Sequence, residues 1–170
     1  SATNGSGRFV QIYCKNPLIN VTGSRTITAT SILGIYAPAA GFTTDLIFPI
    51  PNLTCSGLLL YLGGSNNNKN VVINSNYSFS GVNEITGDKI LLNGNLTNNS
   101  TSQGINFVTN ELVVSSPRTI TTQKAFSLVQ KTAFVSDIVF PGPNLTVSCN
   151  GLTIGTTTNT KNITITTDLS

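Results

Sequence analysis

The strongest constraint on what this chain can fold into is a stretch that it carries twice. Asp45-Leu46-Ile47-Phe48-Pro49-Ile50-Pro51-Asn52-Leu53-Thr54 returns as Asp137-Ile138-Val139-Phe140-Pro141-Gly142-Pro143-Asn144-Leu145-Thr146, and most of the changes exchange one apolar residue for another. In each copy an apolar run meets Pro-x-Pro, which fixes φ twice and removes two main-chain donors, so a strand ends or turns there before the next begins. The flanks repeat in the same order. Arg25-Thr26-Ile27-Thr28 matches Arg118-Thr119-Ile120-Thr121, Gly57-Leu58 matches Gly151-Leu152, and Lys69-Asn70-Val71-Val72-Ile73 matches Lys161-Asn162-Ile163-Thr164-Ile165. The duplication divides the chain into two related units, residues 7–75 and 104–170, joined by a connecting segment, residues 76–103.

Composition points to an all-β chain. Charged residues make up 9% of it, where an ordinary soluble domain has roughly 25%. Val, Ile, Leu and Phe alternate with Thr and Ser, a pattern that suits a pleated, half-buried surface. Short strands with turn signals every eight to twelve residues or so are the pattern of a sandwich or barrel. The expectation is therefore two tandem related β-sandwich or Greek-key-like units. A parallel β-helix is the alternative, because Val72-Ile73-Asn74, Leu91-Leu92-Asn93 and Val113-Val114-Ser115 recur at intervals of about 20 residues, as the turns of a solenoid would. That period fails at the Pro-x-Pro blocks, which favours the sandwich. Residues 123–134 place Ala125, Leu128, Val129 and Ala133 near a helical spacing, but their counterpart in the first unit contains Pro38, so strand or loop is expected there.

Much chemistry is closed to this sequence. It has no histidine, so Ser/His/Asp and Cys/His triads cannot form and the commonest acid/base group is missing. Of the six acids, Asp45 and Asp137 are copies of each other in separate units, Asp88 lies in a Gly-Asp turn and Asp168 is in the tail, an unpromising set for a carboxylate pair. No phosphate-cradling loop, dinucleotide fingerprint or calcium loop is present. Cys14, Cys55 and Cys149 match no zinc or CxxC spacing and read first as small buried hydrophobes, with one intramolecular disulfide and a spare thiol as the alternative. Lys69 and Lys161, with Asp45 and Asp137, admit an isopeptide crosslink in principle; solvated lysines in Asn-rich turns are the preferred reading. Nine scattered cations give a net charge of +3 with no basic run, which disfavours nucleic acid. No apolar stretch approaches the roughly 20 residues of a spanning helix. The sequence opens at Ser1 and has no Met, consistent with a removed leader. No enzyme activity, metal or cofactor is expected.

Residues 1–15 form a tail and a strand. The first seven are small or polar, and Phe9, Val10, Gln11, Ile12, Tyr13 and Cys14 then alternate with apolar groups on both faces, so the strand asks to be covered on two sides. Asn-x-Ser/Thr sequons occur at Asn4, Asn20, Asn52, Asn76, Asn95, Asn98, Asn99, Asn144 and Asn162, each a candidate for N-glycosylation if the chain is secreted. Few charges, Thr/Asn-rich strands, many sequons and an uncovered N-terminal strand together resemble the subunits of extracellular filaments, in particular archaeal threads and donor-strand pili. The likeness is one of type across the whole chain. It implies a non-enzymatic structural subunit at the cell surface that polymerises with copies of itself and carries covalent glycans, with residues 9–14 donated to a neighbour's open sheet. A viral capsid, fibre or spike protein at a virion surface is one alternative. A glycan-binding adhesive module is another, weakened by the absence of Trp, which leaves Tyr13, Tyr36, Tyr61 and Tyr77 as the large polar aromatics.

Overall fold

In the computed structural model the described residues are 2–3, 9–57, 59–79 and 83–166. Among them there is no helix, and every strand pairing is parallel. Parallel neighbours need a long crossover, and here each crossover is the remainder of one circuit of the chain. The fold is thus a parallel β-solenoid of about six turns, with three strand-bearing sides. Side one stacks Ala2–Thr3, Arg25–Thr28 and Leu53–Ser56, then Tyr77–Phe79, Leu96–Asn98, Arg118–Thr122 and Leu145–Ser148. Side two is unbroken: Val10–Tyr13, Ile32–Tyr36, Leu59–Gly63, the first part of Asn83–Leu92, the first part of Ile105–Val113, Ala125–Val129 and Gly151–Ile154. Side three stacks Leu46–Phe48, Val71–Ile73 and the second parts of the two long strands, and separately Ile138–Phe140 on Ile163–Ile165. The seven side-two strands, six circuits of the chain from first to last, number the layers from turn one at Val10–Tyr13 to turn seven at Gly151–Ile154.

This architecture overturns the expected pair of tandem sandwiches. The residues between the two copies are not a connector: Phe79, Ile85, Ile90, Leu92 and Leu96 are buried in the same continuous core as the flanking turns. The solenoid, set aside for its failing period, is what forms. Its turns are unequal, since Ile105 lies against Phe126, 21 residues on, while Leu33 lies against Leu60, 27 residues on. Loops at residues 37–45 and 130–137 lengthen the turns just ahead of the two duplicated blocks. Residues 123–134 supply the strand Ala125–Val129 rather than a helix.

In-register stacking makes columns of like residues. Along side two, Ile12, Ile35, Leu62, Ile85, Phe107, Leu128 and Ile154 follow one another in direct register. All five inner members are essentially inaccessible, whereas Ile12 and Ile154, at the ends, are only partly covered. Strand alternation sends these side chains inward and Gln11, Tyr13, Tyr61, Glu84 and Thr153 outward. Two aromatic clusters close the core, each containing one of the duplicated phenylalanines. Phe48 meets Tyr77 at 4.8 Å and Phe79 at 6.3 Å, and Phe126 lies between Phe107 at 5.3 Å and Phe140 at 5.9 Å. Edge-to-face and offset pairs of this kind add to the burial they accompany.

Two substitutions test the packing. Phe107→Ala, at a fully buried site, is expected to cost about 3–5 kcal/mol in urea unfolding. Gly63→Ala is expected to destabilise as well, because Gly63 has φ +93° and a Cβ there would run into the Thr86 carbonyl. Wild-type stability in either variant would contradict the stacking described.

Candidate functional site

The duplicated block builds the same local structure twice, four turns apart. Phe48 and Phe140 are 1% and 2% exposed, and each is followed by a cis peptide bond to proline. Asn52 Nδ2 donates to the Val21 carbonyl (3.2 Å) and Asn144 Nδ2 to the Val114 carbonyl (3.1 Å), tying each corner back to the preceding turn. The Leu53 N–H donates to Ile50 O and the Leu145 N–H to Gly142 O, so both Pro-x-Pro bends close in the same way. Upstream, Asp45 accepts from the main-chain and side-chain N–H groups of Asn70, and Asp137 accepts the same pair from Asn162. Both acids are therefore held by the asparagine of the next turn. This geometry gives no support to an isopeptide bond with Lys69 or Lys161.

Beside each block lies a cleft between adjacent turns. One, of about 270 Å³, separates residues 17–21 from Ile47, Ile50 and Pro51; the other, of about 260 Å³, separates Leu112 and Val114 from Ile138, Val139 and Pro143. Each is clamped at its corners. Thr43 N–H donates to Lys15 O and Thr44 Oγ1 to Asn16 Oδ1 at the first, while Thr132 and Ala133 donate to Asn110 Oδ1 at the second. Between the clamps no strand pairing joins the two turns among the described residues. Sequence reasoning found the block but not the cleft, which depends on the loop preceding each copy.

The expected donor strand has a place of its own. Val10–Tyr13 pairs with Ile32–Tyr36 as the first strand of side two, with Val10 and Ile12 turned inward, Gln11 and Tyr13 outward and Phe9 exposed. Its groups are thus bonded within its own chain, and only its other edge lacks a strand partner among the described residues. Cys14, at the end of this strand, is half-buried and, like Cys55 and Cys149, unpaired. Burial pushes the Cys55 thiol up to about 11.

Of the sequons, Asn4 lies outside the described residues. Asn20, Asn52, Asn76, Asn95, Asn99 and Asn162 are exposed and Asn144 is half-buried. Asn98 is different: it is 1% exposed, and its Nδ2 donates to Gln103 O and to Thr122 Oγ1. Both amide hydrogens are used, and a glycan has no room there. Asn52, Asn76, Asn95 and Asn144 all fall at the corner before side one, where Asn76 Oδ1 accepts the Asn95 N–H and Asn95 Oδ1 accepts the Thr119 N–H. Asparagine in these positions is already explained by its turn-to-turn hydrogen bonds.

Three of the four tyrosines stack on the outer face of side two. Tyr13 and Tyr36 lie 5.2 Å apart and Tyr36 and Tyr61 6.3 Å apart, with the Tyr36 ring leaning over Gly34, where a Cβ would strike it. The fourth, Tyr77, points inward and donates its hydroxyl to Cys55 O at 2.7 Å, across the one step where side one is not paired between turns among the described residues. Burial pushes its phenol well above the ordinary range. The acids do not gather: no cluster of three or more His, Cys, Asp or Glu exists among the described residues, and the one ion pair there, Lys89 with Glu111 at 2.6 Å, is half-exposed. No helix among the described residues is long and apolar enough to cross a membrane. No family description, curated protein or solved structure matches this chain.

Three outcomes are expected. Native Cys55 should react with iodoacetamide at pH 8 about a hundredfold more slowly than in urea, the thiolate fraction lost when a thiol rises from 9.0 to about 11; equal rates would contradict its burial. On a chain passed through a glycosylating secretory route, Asn98 should remain unmodified in glycopeptide mass spectrometry. The side-chain and main-chain N–H groups of Asn162 hold Asp137 below the usual carboxylate range. The stabilisation this implies is complete above the unfolded value of about 3.9 and is lost as pH falls through the lower folded one. The protection of the Ile138 and Asn162 amides, their hydrogen exchange divided by the intrinsic rate at each pH, should therefore fall below about pH 3.9 in the wild type, and show no such step in Asp137→Asn.

Proposed function

We propose that this protein is a non-enzymatic structural subunit of an extracellular, self-assembling filament. The observation that carries the reading is the open edge at each end of side two: Val10–Tyr13 and Gly151–Ile154 each have one strand neighbour, and nothing described caps the other edge. Open parallel edges are templates for further strands, which monomeric proteins normally cover or charge. The lack of histidine and the dispersal of the acids favour a structural role over catalysis. Low charge and a Thr/Asn-rich outer surface suit a chain that works outside the cell, where exposed sequons would carry glycans. Strand donation is no longer the favoured joint, because the N-terminal strand already fills a position in its own sheet.

The filament reading is tested by negative-stain electron microscopy and light scattering of the full chain over a hundredfold range of concentration. Unbranched rods that lengthen with concentration are expected. A particle that remains one solenoid long throughout would overturn it.

One observation favours a second reading, a surface that binds glycans. The Tyr13, Tyr36 and Tyr61 rings, with Gln11 in register beside Gly34 and Glu84 beside Tyr61, offer aromatic faces and polar groups together. Since the chain has no Trp and three of its four tyrosines lie in this patch, tyrosine fluorescence reports on it once the constant contribution of Tyr77 is subtracted with a Tyr77→Phe control. On that reading a β-linked oligosaccharide changes the emission of the wild type and not of Tyr36→Ala; an unchanged wild-type signal rejects it.

A further inference from the structure

Resting on the filament reading, we infer that subunits join head to tail, with turn seven of one copy stacked on turn one of the next so that the solenoid continues through the joint. The argument comes from the duplication. Turn seven repeats turn three: Lys161 N–H donates to Asn159 Oδ1 as Lys69 N–H does to Asn67 Oδ1, and Ile163 and Ile165 stand where turn three has Val71 and Ile73. Val71 and Ile73 are 0% and 1% exposed because turn four, with Ile90 and Leu92, lies over them. Ile163 and Ile165 are 38% and 42% exposed because no described turn follows. These are core positions that no turn among the described residues covers.

Turn one shows the converse. It repeats turn five, since Asn52 and Asn144 bind the carbonyls of Val21 and Val114 in the same way. Inside the chain, turn five rests on turn four, which keeps Ile105 and Phe107 at 1% and 0% exposure, whereas Val10 and Ile12 of turn one are half-open. Both end turns thus have internal counterparts that accept a neighbouring turn on the face left bare at the end. The occupant that fits is another turn of the same three-sided outline, presented with the same strand polarity. A second copy of this chain supplies it: its turn one prolongs the column that ends at Ile154 with its own Ile12, and its edge meets that of Gly151–Ile154 in parallel register.

The outward row on side two provides a direct test. Gln11, Gly34, Tyr61, Glu84, Asn106, Ser127 and Thr153 occupy successive positions in register. In the proposed joint Thr153 of one copy lies beside Gln11 of the next at about 4.8 Å, inside the roughly 4.4–6.8 Å that a disulfide spans. In a background lacking the three native cysteines, a chain carrying both Gln11→Cys and Thr153→Cys, concentrated and oxidised, is expected to give a covalent ladder of dimers, trimers and higher species. Each single variant should give no ladder, because in the joint its cysteine faces Thr153 or Gln11 rather than a second thiol. Filaments without a ladder would overturn head-to-tail stacking while leaving the filament reading intact; monomers without crosslinks would overturn both. As a second arm, Ile163→Asp combined with Ile165→Asp, at exposed positions that should spare the fold by circular dichroism, is expected to shorten the rods at least tenfold. Rods of wild-type length from that folded variant would also overturn the proposal.

Discussion

Everything in this molecule depends on parallel, in-register hydrogen bonding from one turn to the next. The ladder fixes which residues become neighbours, so the apolar column through Ile35, Leu62, Ile85 and Phe107 and the outward row through Tyr61 and Glu84 follow from one choice of register. A slip of one residue would turn the column outward and the row inward, exchanging a buried Phe107 for Asn106 or Val108. The register is therefore specified by the core, and the core is continuous only because the register holds along side two.

Corners carry the second level of order. Where the chain bends, main-chain groups leave the ladder, and asparagines take their places: Asn52 and Asn144 bind the turn before, Asn70 and Asn162 the acid of the turn before, and Asn67 the Thr86 carbonyl of the turn after. These bonds answer the need of buried or half-buried main-chain groups for partners. They also show how deep the duplication runs, since the two copies share hydrogen bonds atom for atom as well as residues. Low charge is consistent with this scheme, because amides supply both donors and acceptors without a desolvated ion.

The all-β class and the duplicated block were legible in the residues. So was the clue to the true fold. Val72, Leu91 and Val113, noted for their 20-residue recurrence, are direct neighbours on side three. What hid the solenoid was the inserted loops, which lengthen the turns ahead of each Pro-x-Pro block and break the period over those two stretches. Alternation of apolar and polar residues is the same in a sandwich strand and in one side of a solenoid, so pattern alone could not separate them. The N-terminal strand forms over Val10–Tyr13, within the residues 9–14 expected to be extended, but whether an uncovered face belongs to a donated strand or to the first turn of a stack is a matter of partners. Among the sequons Asn98 stands apart, because it has the motif of an exposed glycan site and the environment of a core amide.

The two clefts have a mechanical consequence. Between turns one and two, and again between turns five and six, side three lacks the ladder that joins turns two through five, and side two carries a larger part of any axial load. A rod pulled along its axis should yield first on that flank, bending toward the intact side before any turn separates. Because the block is repeated four turns apart, these two weak places fall on the same flank, while the unpaired step of side one, between turns three and four, is bridged by the Tyr77 hydroxyl, so the molecule would bend twice in the same direction under tension.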